Sequence, residues 1–172
     1  ARAASTYPGA ALAAIVKNPS IIIADEPTTA LDVTIQAQIM KLLKELQREE
    51  GLSVWLISHD IALIAQMADR AMVMYAGQVV ESAPVDILFA HPCHPYTQAL
   101  LASVPDIRDT DNRKLMSIPG SVPEHYDHIT GCRFAGRCGK ECAACAHPQP
   151  LTEIEPHHFV RCSIACAQEV NV

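Results

Sequence analysis

The chain has 172 residues, a length that allows one domain or one domain with a small appendage. Apolar residues make up 49% of it, enough for a hydrophobic core, and a formal net charge of −6 without any basic cluster argues against nucleic acid as a partner. No apolar run approaches about 20 residues and no signal peptide is visible, so the sequence predicts a protein that stays in the cytoplasm.

The first elements lead to a pair of carboxylates. An Ala-rich stretch over 10–17 predicts a short helix that ends at Asn18-Pro19. The apolar run from Ile21 to Ala24 leads directly into Asp25 and Glu26, which predicts a strand buried on both faces, as in the centre of a parallel sheet. Two adjacent carboxylates at the end of such a strand are costly unless they have a function. The function that fits is handling Mg²⁺ and water in nucleoside-triphosphate hydrolysis.

A long helix and a second strand follow. Asp32 predicts the N-cap of the helix and Gly51 its end. Apolar residues spaced by three or four predict the helix face that packs on the sheet, namely Ile35, Ile39, Leu42 and Leu46. The second strand is predicted over 52–57, with Trp55 in the core, and it leads into Ser58-His59-Asp60. His59 is therefore a second candidate site residue at a strand end.

The pattern then continues with a helix over 61–68 and two strands over 71–75 and 79–81, joined by a hairpin at Ala76-Gly77. Strand, helix, strand, helix and strand in this order predict an α/β fold with a parallel sheet, flanking helices and right-handed crossovers.

After about residue 90 the sequence predicts little regular structure beyond a short helix over 97–103. Six of the seven cysteines follow residue 104. Cysteines in a protein that is not exported are thiols or metal ligands more often than disulfides. If these cysteines bind metal, we expect the metal to order this segment in place of a hydrophobic core.

The cysteines alone leave three possibilities open. Four thiolates from an irregular segment suit an iron–sulfur cluster or a structural Zn²⁺. The spacing Cys142-x₂-Cys145 and Cys162-x₃-Cys166, with sixteen residues between the pairs, is close to that of a zinc ribbon. The third possibility is reduced cysteines without a ligand.

The segment from Ile21 to Asp32, together with Ser58-His59-Asp60, resembles the ATPase subunits of ABC transporters. Asp25 and Glu26 match the end of the Walker B strand, Ala30-Leu31-Asp32 the D-loop, and His59 the switch histidine. The resemblance implies part of a RecA-like P-loop NTPase fold, with ATP and Mg²⁺ as cofactors. It also implies that Asp25 binds Mg²⁺, Glu26 is the general base, His59 contacts the γ-phosphate, and Asp32 faces the partner ATPase across bound ATP.

The segment HPCHPYTQALLASVP, residues 91–105, resembles the start of the C-terminal extension of the oligopeptide/dipeptide importers within that family. Gly131-Cys132-Arg133-Phe134 and Arg137-Cys138 continue the likeness. The resemblance implies a 4Fe-4S cluster. Its ligands would be Cys132, Cys138, Cys145 and Cys162, with Cys142 and Cys166 in surplus.

Two motifs of the family are absent from these 172 residues. The chain contains neither G-x-x-x-x-G-K-[ST], which supplies the phosphate cradle and its lysine, nor the LSGG signature. We therefore expect a C-terminal part of a longer ATPase, and a chain that by itself neither binds ATP tightly nor hydrolyses it.

The resemblance implies two domains: residues 1–90 as the C-terminal part of the nucleotide-binding domain, and residues 91–172 as the cysteine-rich extension. The implied function is ATP hydrolysis that drives peptide import at the cytoplasmic face of the cell membrane. Implied partners are two permease subunits, a second ATPase and, indirectly, an external peptide-binding protein. The alternative is a non-catalytic metal-binding or regulatory module on a degenerate ATPase scaffold.

Overall fold

The structure is a computed structural model that describes residues 3–4, 19–29, 32–104 and 118–167. The side chains of Val33, Cys166 and Ala167 are outside this description, as are the predicted helix over 10–17 and Ala30-Leu31 of the predicted D-loop. The chain divides into two compact units, Ala1–Ala68 and Asp69–Val172. This division differs from the boundary at residue 90 predicted from the sequence.

A parallel sheet forms the centre of the first unit. Its strands are β1 (Ala3–Ala4), β2 (Ile21–Asp25) and β3 (Ser53–Ile57), in the order β1-β2-β3. Strand β2 pairs with both neighbours, and Asp25 is in register with Ile57. Ile22 and Ala24 on one face of β2 are buried, while Ile21 and Ile23 on the other face are only half-buried, so the prediction of a strand buried on both faces is wrong for one of them. The sheet therefore presents the end of β2 beside the end of β3.

Helix α1 (Val33–Glu50) packs through a face that only partly matches the predicted one. Its N-cap is Asp32, whose carboxylate accepts a hydrogen bond from the Ile35 amide at 2.9 Å, and its C-cap is Gly51 with φ 64°. Met40 and Leu43 are buried, and the predicted Ile39 packs against them. The predicted Ile35 and Leu42 are exposed, so the buried face is turned towards the residues that follow Ile39 and Leu42.

Helix α2 (Ile61–Met67) completes the core of the first unit. Asp60 caps it by accepting a hydrogen bond from the Leu63 amide at 3.1 Å. Leu63 packs with Met40 and Leu43, and Leu56 of β3 joins this cluster. Trp55 points away from it with 51% of its surface exposed, so the prediction of a core tryptophan is wrong. The alternation along β3 sends Leu56 to the core and Trp55 to the other face.

The second unit is built on an antiparallel sheet, in contrast to the single parallel sheet predicted. The predicted hairpin is present as β4 (Arg70–Tyr75) and β5 (Gln78–Pro84). Its two turn residues, Ala76 and Gly77, both have positive φ. A connection this short joins only antiparallel strands. The other strands come from the end of the described chain, β6 (Thr152–Glu155) and β7 (His158–Val160), giving the order β4-β5-β7-β6.

In the described part of the second unit there are three α-helices, namely α3 (Val85–Ala90), α4 (Pro95–Ala102) and α5 (Ser163–Ala167). Its cysteine-bearing segment has three short 3-10 helices, Tyr126–His128, Ala135–Arg137 and Ala143–Ala146. Among the residues described, no helix is long and apolar enough to cross a membrane.

An aromatic cluster holds the cysteine-bearing segment to the sheet. Phe134, 3% exposed, lies with its ring centroid 5.2 Å from that of Tyr75 and 5.3 Å from that of Tyr96. Val80 of β5 joins the same core. Aromatic packing of this kind stabilises a segment that lacks regular strands. The expectation that this segment lacks a hydrophobic core is therefore wrong, because Phe134 shares a core with Tyr75 and Val80 of the hairpin.

Candidate functional site

The end of β2 places two carboxylates at the edge of the parallel sheet. Asp25 is the last residue of β2, and its side chain is exposed. The Glu26 amide donates to the carbonyl of Ile57 at 2.9 Å, which carries the pairing of β2 with β3 one residue further. The backbone of Glu26 then turns with φ 47°. A positive φ is uncommon for a residue with a side chain, and such residues concentrate at functional sites.

Glu26 and His59, the two predicted catalytic residues, meet across the ends of β2 and β3. His59 Nδ1 lies 2.8 Å from Glu26 Oε1, and the His59 amide donates to the same oxygen at 3.2 Å. The other oxygen, Oε2, accepts a hydrogen bond from Thr29 Oγ1 at 2.8 Å. Both carboxylate oxygens of Glu26 are therefore held in place.

These contacts shift the titration of both residues. The hydrogen bonds from the His59 side chain, and then from Thr29, lower the pKa of Glu26. The hydrogen bond to Glu26, followed by its negative charge, raises the pKa of His59. Near neutral pH, Glu26 is therefore an ionised carboxylate that its hydrogen bonds hold in one orientation.

The other two predicted residues of this site make different contacts. Asp25 lies beside Glu26, and its side chain is exposed. Its carboxylate oxygens can therefore bind a cation. Asp32 is exposed and caps α1. We did not identify Thr29 as a site residue from the sequence. A threonine three residues after a glutamate in a turn is nevertheless a recognisable hydrogen-bonding pattern.

The four predicted cluster cysteines influence one another in the second unit. Burial raises the pKa of the Cys132 thiol, and the thiols of Cys145, Cys162 and Cys138 raise it further. Burial also raises the pKa values of Cys138 and Cys145. Several thiols that disfavour one another's ionisation suit a bound cation, because its positive charge stabilises the thiolates. Among the described residues, no three of these cysteine sulfurs lie within 4.8 Å of one another.

Backbone contact brings the two halves of this cysteine segment together. The Cys132 amide donates to the Cys145 carbonyl at 2.8 Å. Gly131, the preceding residue, lies so close that an added Cβ would be 2.3 Å from the same carbonyl oxygen. Only glycine permits this approach.

A second buried cluster escaped the sequence analysis. Glu81 of β5 has no exposed surface, and its Oε1 lies 2.8 Å from Nε2 of His158, which is 1% exposed. The amides of Cys93 and His94 donate to the same carboxylate at 2.8 and 2.9 Å. Glu81, Cys93 and His158 present ligand atoms within 4.8 Å of one another. The three hydrogen bonds satisfy the carboxylate without a metal, so we interpret this group as a structural junction.

Similarity to known proteins places the chain among the ATP-binding subunits of ABC transporters. A model of the family described as "Oligopeptide/dipeptide transporter, C-terminal region" matches residues 80–145. A protein of Brucella abortus (strain 2308), named as a peptide import ATP-binding protein, is 54% identical over 149 residues, which are 87% of this chain and 45% of that protein. A protein of Sinorhizobium fredii, named as a peptide ABC transporter ATP-binding protein, is 48% identical over 150 residues, with the same two coverages.

The chain belongs to the oligopeptide/dipeptide ABC-transporter ATP-binding subunits and carries their C-terminal region, which confirms the predicted family. It spans about half the length of the curated relatives it matches. Among solved structures, cbiO1 from Clostridium perfringens, part of the ABC transporter complex cbiONQ, is 35% identical with a TM-score of 0.45, over 48% of this chain and 33% of that one. These relatives do not favour the alternative of a non-catalytic module.

Proposed function

We propose that this chain is part of the ATP-hydrolysing, energy-coupling subunit of a peptide ABC importer that acts at the cytoplasmic face of the cell membrane. The observation that carries the proposal is the 2.8 Å contact between His59 Nδ1 and Glu26 Oε1 at the ends of two neighbouring parallel strands. The carboxyl edge of a parallel sheet is where such folds bind their ligands. The names of the relatives supply the substrate class, peptides.

In this proposal each residue of the carboxylate edge has one role. Glu26 orients the attacking water and accepts its proton. His59 holds the Glu26 carboxylate in place and contacts the terminal phosphate. Asp25, exposed beside them, binds Mg²⁺ through an oxygen. Asp32 lies at the start of α1 and faces the second ATPase.

The phosphate cradle must be supplied from outside these 172 residues, because they contain no P-loop. The proposal therefore assigns residues 1–90 to the C-terminal part of a nucleotide-binding domain and residues 91–172 to its extension. Its partners are a second ATPase, two membrane-spanning permease subunits and, indirectly, an external peptide-binding protein.

The hydrolysis role is tested on the product of the complete gene. We expect Glu26→Gln to lower the steady-state ATPase rate by roughly 10²- to 10⁴-fold, since the amide cannot accept a proton. Glu45→Gln on the half-exposed part of α1 makes the same chemical change away from the sheet edge and should leave the rate near wild type. Full activity in Glu26→Gln would refute the role of Glu26. ATP turnover by the 172-residue chain alone would refute the assignment of the phosphate cradle to another segment.

We also propose that Cys132, Cys138, Cys145 and Cys162 hold a 4Fe-4S cluster. A cluster of this kind cross-links the segments that supply its thiolates. Support comes from the neighbouring thiols of Cys145, Cys162 and Cys138, which add to the effect of burial in raising the pKa of Cys132. Protein purified without oxygen is expected to contain about four iron and four sulfide per chain, and Cys138→Ser should lower both. Stoichiometric zinc without iron would contradict the proposal.

A further inference from the structure

The two carboxylate oxygens of Glu26 have unequal surroundings. Oε1 lies 2.8 Å from His59 Nδ1 and accepts the His59 amide at 3.2 Å, whereas Oε2 accepts one described hydrogen bond, from Thr29 Oγ1 at 2.8 Å. An ionised carboxylate offers about two lone-pair positions on each oxygen. Among the described contacts, both positions on Oε1 are therefore occupied and one on Oε2 is left. A general base needs such a position to receive a proton.

A tight turn brings Thr29 to Oε2. The Thr29 amide donates to the Glu26 carbonyl at 3.2 Å, which closes a turn that begins at Glu26. Pro27 follows, and its fixed φ suits the second position of a turn. A turn of this kind keeps the Cα atoms of its first and fourth residues within about 7 Å. Because threonine is β-branched and has few χ1 rotamers, its hydroxyl is held in one direction.

The hydroxyl of Thr29 contributes more to the orientation of the carboxylate than to the stability of the turn. Thr29 is exposed, and the backbone hydrogen bond already closes the turn. An exposed hydrogen bond adds little stability, since water competes for both groups. The last torsion of a glutamate side chain, by contrast, has a broad and roughly two-fold preference. With Oε1 held by His59, the hydrogen bond from Thr29 to Oε2 fixes the plane of the carboxylate.

We propose that Oε2 is the atom of Glu26 that accepts the proton of the attacking water, and that Thr29 is the positioning residue that directs this atom. The inference rests on the proposed function and names the atom through which Glu26 acts. In this step an O–H bond of the water breaks and its proton binds Oε2. The water oxygen forms a bond to the terminal phosphorus of ATP, and the bond from that phosphorus to ADP breaks with its electron pair left on ADP. Thr29 keeps its own proton throughout.

Substitutions of Thr29 in the product of the complete gene test this role through the ATPase rate. Thr29→Val removes the hydroxyl and keeps the branched shape. We expect it to lower kcat by roughly 3- to 30-fold and to leave KM for ATP within about twofold of wild type, because the lost contact acts on the base and not on bound ATP. Thr29→Ser retains the hydroxyl and should recover most of the rate. Thr152→Val makes the same chemical change at an exposed position of β6 and should leave kcat near wild type.

A double variant separates a positioning role from a structural one. Glu26→Gln lacks the base, so adding Thr29→Val to it should cause no further loss in single-turnover hydrolysis, since residues that act as a unit are not additive. A contact that only supports the fold would slow wild type and Glu26→Gln by the same factor. Thr29→Ala removes the hydroxyl a second way and should match Thr29→Val, and thermal unfolding verifies that each variant is folded.

The outcomes distinguish this inference from the function on which it rests. Wild-type kcat in both Thr29→Val and Thr29→Ala, with a large loss in Glu26→Gln, would overturn the role of Thr29 alone. The same holds if Thr29→Ser is as slow as Thr29→Val, or if Thr29→Val slows Glu26→Gln as much as it slows wild type. Full activity in Glu26→Gln would overturn the proposed function of Glu26 and this inference with it.

Discussion

The contact between Glu26 and His59 has a direct consequence for pH. The pKa of His59 lies above its usual value of 6.5 and that of Glu26 below 4.5. The stabilisation from protonated His59 is complete below pH 6.5 and is lost as the pH rises through the raised pKa. The stabilisation from ionised Glu26 is complete above pH 4.5 and is lost as the pH falls through the lowered pKa. The pair is therefore strongest between the pKa of Glu26 and that of His59.

Titration of the His59 ring by NMR checks this coupling. We expect wild-type His59 to titrate above pH 6.5 and Glu26→Gln to move its midpoint down towards 6.5, since the hydrogen bond to a carboxylate is the main cause of the shift. Asp25→Asn removes the adjacent carboxylate, which forms no described hydrogen bond with His59, and should have the smaller effect. Equal midpoints in wild type and Glu26→Gln would show that the contact does not persist in solution.

The sequence revealed this pair because both residues follow strands whose apolar runs are unambiguous. Glu81 and His158 could not be identified in the same way. Glu81 lies inside β5, and a charged residue in a strand ordinarily indicates the face exposed to solvent. His158 is the first residue of β7, a strand of three residues that is too short to show any periodicity. Their burial depends on strand pairing between distant segments, which local sequence does not encode.

At the scale of elements, helix α4 begins at a buried histidine. His94 is 1% exposed, and its Nδ1 accepts a hydrogen bond from the Tyr96 amide at 3.0 Å, which caps the helix. Burial lowers the pKa of His94 to about 4. The folded state thus binds this proton less readily than the unfolded chain. The contribution of neutral His94 to the stability of the folded protein is complete above pH 6.5. It is lost as the pH decreases from 6.5 to about 4.

The difference between the pKa of His94 in the unfolded chain, 6.5, and in the folded protein, about 4, limits this loss of stability to about 3 kcal/mol. His94→Asn tests it, because asparagine also caps helices and does not titrate in this range. We expect urea unfolding of wild-type protein to show a steeper decline in stability between pH 6.5 and 4.5 than unfolding of His94→Asn. Identical pH profiles would mean that His94 is protonated without penalty in the folded protein.

The turn at Gly131 determines whether the two cysteine-bearing stretches can meet. A Cβ at this position would lie 2.3 Å from the Cys145 carbonyl oxygen and 2.9 Å from atoms of Ala146. These are backbone atoms, so the contact cannot be relieved by a side-chain rotation. We expect Gly131→Ala to destabilise the protein by roughly 1 to 3 kcal/mol in urea unfolding.

Gly136 provides the matched control for that substitution. An added Cβ there meets nothing within 4 Å, and the residue lies in the 3-10 helix Ala135–Arg137. Gly136→Ala should therefore change stability by no more than about 0.5 kcal/mol. Comparable losses in both variants would indicate that the approach of Gly131 to Cys145 is not a constraint in solution.

The sequence predicted most helices and strands, but it predicted fewer of the contacts between them. Strands β2 and β3, helix α1 with both caps, and the hairpin at Ala76-Gly77 all follow from local patterns. The buried face of α1 was displaced by one position because Ile35 and Leu42 are as apolar as Met40 and Leu43. Which apolar residues are buried is decided by the neighbouring elements, and the sequence of the helix alone does not contain that information.

At the scale of the whole molecule, the parallel sheet of the first unit was predicted and the antiparallel sheet of the second was not. Alternating strands and helices indicate a parallel sheet. Because the first strand of the hairpin continues this alternation, we predicted that it belongs to the parallel sheet. Strand β5 instead pairs with β7, placing Glu81 opposite Val160. Such a pairing between distant short strands leaves no local signal.

The pairing of β5 with β7 also bears on how this protein is made. Val160 follows Glu81 by 79 positions along the chain. At a synthesis rate of roughly 5 to 20 residues per second, a ribosome needs about 4 to 16 seconds to supply the partner strand. During that interval β5 on the nascent polypeptide has an open edge, and Glu81 lacks its contact with His158. Translation therefore creates a brief period in which this edge is exposed to chaperones or to aggregation with neighbouring chains.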